Sequence, residues 1–373
     1  MDYIPAPLTT PTCLLALVLT LTLGLILAFA MPTRAGRQSH RPPSLDSSPI
    51  TMLPTEIIQH IASLLSSVAA ASFASTCVYI RVATGTQYVS AIRASPRETL
   101  ALLELLLADA PIDPVTNLPS RFLCVHCKRL VPIYIGCGVS ASPACKEAWE
   151  LSKKHIESSF SPLLFHTLMA MHRLERPCDA LLAQITPTTS TYYDNHTRVA
   201  WQHSVRYHIA MSGRLLQRTV ETYIFSHAHL DCRALGPFCS HLDGTCNNFS
   251  HAVEQVHTEV LGGSGRSQTI FIACGYCRTT VLVGARKFRR RGIGLFVIWW
   301  KDLGYGITWD EIWARQVDKV FPTESGRIGY FHMPVVEEFE GHNARYMDFD
   351  ELSSRADRKE LLRLSPYTAA VGK

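Results

Sequence analysis

Apolar positions recur at helical spacing through the first third of the chain. Leu53, Ile57, Ile58, Ile61, Leu64 and Leu65 form one stripe. Pro54 suits a first helical turn, where its missing N–H is no loss. A second stripe carries Ala70, Phe73, Ala74, Cys77 and Ile80, and Gly85 closes that region. Pro96 opens a further helix with Leu100, Leu103, Leu106 and Leu107 on its apolar face, and Pro111 and Pro114 terminate it. From Leu123 onward, cysteines, short apolar runs and turns replace the long stripes. Thr219–Phe225 reads as a strand, and Thr269–Ala273, Thr279–Val283 and Gly294–Trp300 read as strands of one small antiparallel sheet. A last short helix is expected around Arg355–Leu364. The pattern predicts an α+β fold: an N-terminal helical unit, then a cysteine-containing mixed domain.

Composition sharpens the division. Of 373 residues, 47% are hydrophobic and 18% charged. That argues against a disordered, collagen-like or polytopic membrane chain. The expected segments are 1–31, hydrophobic; 32–49, a linker rich in Pro, Ser, Arg and Gln; 50–93, helical; 94–335, the mixed domain; and 336–373, a charged tail. The net charge of +5 is too diffuse to argue for a nucleic-acid partner, and none is expected. Arg286–Arg291 is basic but reads as a solvated hairpin tip. Leu14 to Met31 is almost wholly apolar and near the lower length limit for a bilayer span. Arg34, Arg37 and Arg41 follow it, so an anchored chain would keep its body in the cytosol. An anchor through residues 14–31 and a segment with no membrane role both stay open. Either way the body is expected in the cytoplasm or nucleus.

Twelve cysteines need an account. They are spread along a long chain, which favours a reducing compartment over a disulfide framework. Cys124/Cys127 and Cys274/Cys277 form Cys-x-x-Cys pairs. Two such turns can complete a tetrahedral Cys₄ zinc site. With most of the domain between the pairs, that zinc would staple the middle of the chain to its C-terminal sheet. Four reduced, half-buried cysteines, or a redox dithiol, are the competing readings. Cys232, Cys239, His241 and Cys246 make a looser second group.

The helical block reads Leu53-Pro54-x-Glu56-Ile57-Ile58-x-x-Ile61-x-x-x-Leu65, then Thr76-Cys77-x-x-Ile80-Arg81. It resembles a short F-box, from roughly Pro49 to Ala91. Beyond that block the motifs keep an order that resembles a filamentous-fungal F-box protein group: both cysteine pairs, Trp300-Lys301-Asp302-Leu303-Gly304, Asp310-Glu311-Ile312-Trp313 and Gly326–Phe331. Ser66 to Ala71 departs from the family in having small side chains. The resemblance implies a non-catalytic adaptor of a cullin–RING ubiquitin ligase. Leu53, Pro54, Ile57, Ile58 and Ile61 would face the Skp-family adaptor, and the C-terminal domain would hold a protein target. A three-helix unit this small cannot bury every apolar residue, which is consistent with a partner-facing surface.

Two other functions stay open. One is a zinc-stabilised binding module, tethered or free, without a ligase role. The remote one is a hydrolase, because Ser226-His227-Ala228-His229-Leu230-Asp231-Cys232 resembles the His-x-His-x-Asp-His motif of metallo-β-lactamase-fold enzymes. Here Cys232 replaces the final His. Trp299, Trp300, Trp309 and Trp313 read as packing anchors, and Gly262–Arg266 as a flexible turn.

Overall fold

A computed structural model describes residues 48–364, excepting 135–137, 140–141, 154, 158, 188, 195–198, 226–234, 236, 243–245, 263–268, 289–291, 308–309, 318–333 and 342–354. Two compact units are delimited, residues 1–57 and 58–373. The described part of the first is a 3₁₀ turn, Pro49–Met52, and the start of helix α1, Thr55–Leu64. Among the described residues no helix is long and apolar enough to cross a membrane. The Leu14–Met31 segment lies outside them.

The second unit takes in the rest of α1 and continues with short helices: α2, Ser67–Thr76; α3, Val78–Thr84; α4, Gln87–Ala94; and α5, Pro96–Ala108. The second sequence stripe therefore divides in two. Cys77 is extended, and its sulfur accepts from Ile80 N–H at the start of α3. Gly85 ends α3 at φ 73°, a left-handed conformation natural to glycine. Ala70, Ala71 and Ala74 are fully buried, so α2 packs closely on α3, α4 and α5. The small residues that depart from the F-box pattern thus permit a tight internal bundle.

Three helices start alike, with serine before proline. Ser95 caps α5, Ser142 caps α6 (Pro143–Lys153) and Ser161 caps α7 (Pro162–Arg173). In each, the serine oxygen accepts a first-turn N–H and proline sits where no donor is needed. α7 is the central helix, burying Phe165, His166, Leu168 and Met169. A short helix, α8, Asp179–Ile185, comes next.

Among the described residues, two sheets follow. The smaller has β1 (Arg121–Cys124), β2 (Arg129–Tyr134) and β3 (Gly138–Val139). The larger has β4 (Ser190–Asp194), β5 (Val199–Ile209), β6 (Leu215–Phe225), β7 (Thr269–Ala273), β8 (Thr279–Phe288) and β9 (Gly292–Gly304). Its order is β4-β5-β6-β9-β8-β7, antiparallel throughout. The sheet is larger than expected because β4, β5 and β6 join the three strands expected to form it. Helices α9 (Asn247–Leu261), α10 (Glu311–Val317), α11 (Pro334–Glu340) and α12 (Arg355–Leu364) lie along it.

Alternation along the strands sorts the core. On one face, Val281, Val283, Leu295, Val297 and Trp299 pack with α9 residues, and Val205, Tyr207, Leu215 and Leu303 pack with α7 and α5 residues. A polar row crosses this face. Tyr207 pairs with Gln217, Gln217 with Lys301 and Lys301 with Thr279, across four adjacent strands. On the opposite face, Leu216, Val220, Ile298 and Trp300 meet Val335, Val336 and Leu361 of α11 and α12. The segment expected to be a charged tail therefore contributes the cover of that face.

Candidate metal centre

The β7–β8 hairpin presents its Cys-x-x-Cys at the tip. Cys274 N–H donates to Thr279 O at 2.9 Å and Thr279 N–H to Cys277 O at 2.8 Å, which folds the turn between the strands. Tyr276 N–H points at Cys274 Sγ, 3.4 Å away. A second turn comes from Cys239-Ser240-His241. Phe238 and Cys239 N–H groups both donate to Leu242 O, at 3.0 and 3.1 Å, bending the intervening residues back. The ligand atoms of Cys239, His241, Cys274 and Cys277 all lie within 4.8 Å of one another, a group that could hold a metal ion. The three cysteines are buried, and the His241 ring packs 5.3 Å from the Tyr276 ring.

The electrostatics of the group favour a cation. Cys239 and Cys277 donate to Cys274 sulfur and hold its pKa far below the usual thiol range. The reverse applies to its neighbours. Donation to Cys274 pushes the Cys239 thiol up to about 12, and its neighbouring thiols, Cys239 first, push Cys277 well above the ordinary range. Three such sulfurs share roughly one negative charge, because like charges this close repel. A bound divalent cation removes that restriction and lets all three ionise.

Groups around the sulfurs reinforce the arrangement. The Thr279 hydroxyl lies 3.3 Å from Cys277 Sγ, and Gln316 of α10 reaches both that hydroxyl and Asp302 O. Lys301 is fully buried, donates to His155 O and faces Cys239 and Cys277 electrostatically. Burial pushes its pKa down to about 8, and the nearby thiols and Glu157 resist that fall. Three thiolates, one neutral imidazole and a divalent ion leave one net negative charge, which a Lys301 ammonium balances. Outer groups of this kind orient the ligands of a metal site.

This corrects the expected ligand set. Cys124, Cys127, Cys274 and Cys277 do not meet at one point. Cys274 and Cys277 are joined by Cys239 and His241, whereas Cys124 and Cys127 gather with Cys145. Each Cys-x-x-Cys sits at the tip of its own hairpin in a different sheet, so each takes its partners from nearby turns and helices. Cys246 does lie beside His241, its sulfur 3.9 Å from His241 O just before α9, but it is not one of the four grouped ligands. A Cys-x-His within reach of a Cys-x-x-Cys was the available sequence signal for the first centre. Nothing comparable marked Cys145.

In the second group, Cys124 and Cys145 are buried and Cys127 is half-buried, with Cys124 and Cys145 sulfurs 3.9 Å apart. Burial, then the neighbouring Cys124 and Cys145 sulfurs, push the Cys127 thiol up to about 12. Burial works against a Cys145 thiolate, but the Ser142 hydroxyl, 3.1 Å away, and the other thiols bring its pKa below the ordinary value.

The expected adaptor-facing residues divide. Pro54 and Ile57 are exposed, and Leu53 and Ile61 are half-buried. Ile58 is fully buried and does not face outward. Its side of α1 also carries buried Ala62, while Gln59 of the same helix donates to Ala83 O of α3 at 2.9 Å. His227, His229 and Asp231, Trp309, Arg289–Arg291 and Gly326–Phe331 lie outside the described residues. Trp299, Trp300 and Trp313 are buried. Set against known protein families, curated proteins and solved structures, the chain matches none of them.

Proposed function

We propose that the chain is a recruiting adaptor. In this reading its N-terminal helices dock a Skp-family adaptor of a cullin–RING ubiquitin ligase, and its α+β domain holds a protein target. The observation that supports it is the set of large apolar side chains left exposed on the short helices. Ile57, Leu64, Val78 and Val82 are 45%, 74%, 74% and 76% exposed. Exposed aliphatics on a small helical unit suit a helical partner better than water. Such an adaptor accelerates modification by proximity, raising the effective concentration of a target lysine near the charged conjugating enzyme. The reading places the body of the chain in the cytoplasm or nucleus, where its thiols stay reduced.

The metal of the Cys239, His241, Cys274 and Cys277 centre is taken to be zinc. Three soft thiolates and an imidazole suit its tetrahedral preference, and a four-ligand set leaves no open position for catalysis. Its role would be to fix the β7–β8 hairpin against the Cys239 turn.

A second reading, a zinc-stabilised binding module without a ligase partner, is favoured by the burial of Ile58, Ala62 and Ile80 inside the chain. One experiment separates the two. The full chain is tested for capture of a purified Skp-type adaptor, with zinc quantified on the same sample. Capture that weakens about 10- to 100-fold in the Leu53→Ala, Ile57→Ala double variant supports the ligase adaptor. A folded, zinc-loaded chain that captures no adaptor leaves the binding module.

A further inference from the structure

The Cys124, Cys127 and Cys145 group repeats the construction of the first centre. Cys124 pairs across the ladder with Arg129, five positions on, as Cys274 bonds to Thr279, also five positions on. In both hairpins the Cys-x-x-Cys fills the turn between the paired residues. In both, a separate element then brings a further ligand to the tip. For β1–β2 that element is α6, whose first turn carries Cys145.

The position of Cys145 is set by the chain around it. Ser142 accepts Cys145 N–H at 3.3 Å, and its hydroxyl lies 3.1 Å from Cys145 Sγ. This cap fixes both backbone and side chain. The sulfur also lies at the positive end of an eleven-residue helix, where a thiolate is favoured. All three sulfurs lie within 4.8 Å of one another, and Cys124 and Cys145 are only 1% and 2% exposed.

The local fold gives such a site a purpose. β1 has four residues and β3 has two. Strands this short make a sheet that is marginal without further support. A cation at the tip would tie α6 to the hairpin with bonds stronger than the few ladder hydrogen bonds available.

We infer that Cys124, Cys127 and Cys145 hold a second zinc ion, separate from the one at Cys239, His241, Cys274 and Cys277. All three would bind as thiolates, each releasing a proton on metal uptake. Zinc commonly takes a fourth ligand, which is left to a group beyond these three. The inference concerns different residues from the adaptor reading and does not depend on it.

The test is metal content of the full chain, purified under reducing conditions. About two zinc ions per chain are expected, falling to about one in Cys145→Ser and to about one in Cys274→Ser. Wild-type metal content retained by Cys145→Ser overturns the inference.

Should Cys145→Ser not fold, the wild-type chain supplies the answer. Cys127 is half-buried, so as a free thiol it is reached by an alkylating reagent in the native protein, and treatment at pH 9 offsets its raised thiol pKa. Peptide mass spectrometry after iodoacetamide treatment at pH 9 should find the Cys127 peptide protected, and labelled once a zinc chelator is added. Labelling that is the same with and without chelator overturns the inference. The Cys274 peptide, read in the same experiment, reports the first centre separately.

Discussion

His203 lies between two carboxylates. Glu157 Oε2 is 2.9 Å from its Nε2 and Glu221 Oε1 is 3.3 Å from its Nδ1, and Tyr223 donates to the other oxygen of Glu221. Burial opposes the imidazolium, but the hydrogen bonds and charge of Glu157 and Glu221 outweigh it and lift the pKa from 6.5 to about 9. A cation whose pKa rises on folding stabilises the fold fully below its unfolded value. That contribution is lost as pH climbs through the folded value. The window here runs from 6.5 to about 9. Lys301 acts in the opposite sense, because burial lowers its pKa to about 8 and its cost to the fold is relieved above that pH. Comparing two proteins that both carry Lys301 largely cancels this second effect. His203→Gln should therefore lose about 1–3 kcal/mol at pH 6.5 and much less at pH 9.5, measured by urea unfolding. An equal loss at both values would rule out the charged pairing.

Among the elements, β9 shows how one strand serves several layers. Trp299 enters the zone under α9, Lys301 the polar row and Leu303 the zone under α7, while Ile298 and Trp300 face α11 and α12. The Trp300-to-Gly304 motif therefore has a packing explanation. Trp300 Nε1 donates to Glu340 at 2.9 Å, and buried Asp302 pairs with Arg214 and Arg278. Gly304 ends the strand at φ 79°, and a Cβ there would sit 2.0 Å from Asp310 Oδ2. Asp310 caps α10, accepting from Ile312 N–H at 2.9 Å and from Tyr305 N–H. Gly213 has nearly the same backbone, φ 78°, with nothing within 4 Å. Gly213→Ala should then cost about 1–2 kcal/mol, the left-handed penalty alone. Gly304→Ala should cost about 3 kcal/mol or more, since the cap of α10 is displaced as well. Equal shifts in the two unfolding midpoints would show that the contact with Asp310 carries no weight. The strand itself was legible in its apolar run from Gly294 to Trp300. β5 was missed although Trp201, Val205, Tyr207 and Ile209 alternate with polar residues, because inward-facing His203 interrupts the apolar side.

For the whole molecule, what the sequence could not disclose were pairings between distant residues. A Cys-x-x-Cys announces a turn that can bind metal, but Cys145, Cys239 and His241 reach those turns only once the hairpins and α6 are in place. The acidic tail misled for a similar reason. Glu337, Glu338 and Glu340 resemble a solvated run, yet Arg214 pairs with Glu338, and Arg218 holds Glu340 at 2.9 Å and stacks on Phe339. Arg218 lies on β6 and Arg214 immediately precedes it, far back in sequence. α11 and α12 thus close the second face of the sheet, with Val336 and Leu361 fully buried. A chain ending after residue 333 would uncover Leu216, Val220, Ile298 and Trp300 together and leave Arg214 and Arg218 without those partners. At about 1.5–3 kcal/mol for each large apolar side chain, the loss is on the order of 5 kcal/mol or more. That is comparable to the whole stability of a typical domain, about 5–15 kcal/mol. The truncated chain should be insoluble, or should unfold without a cooperative transition. The milder Val336→Asp variant, by placing a charge in the same contact, should lower the urea midpoint of an otherwise intact protein. A truncated chain that stays soluble and unfolds at the wild-type midpoint would show that the sheet is stable with that face open. Both helices would then be appendages rather than part of the core.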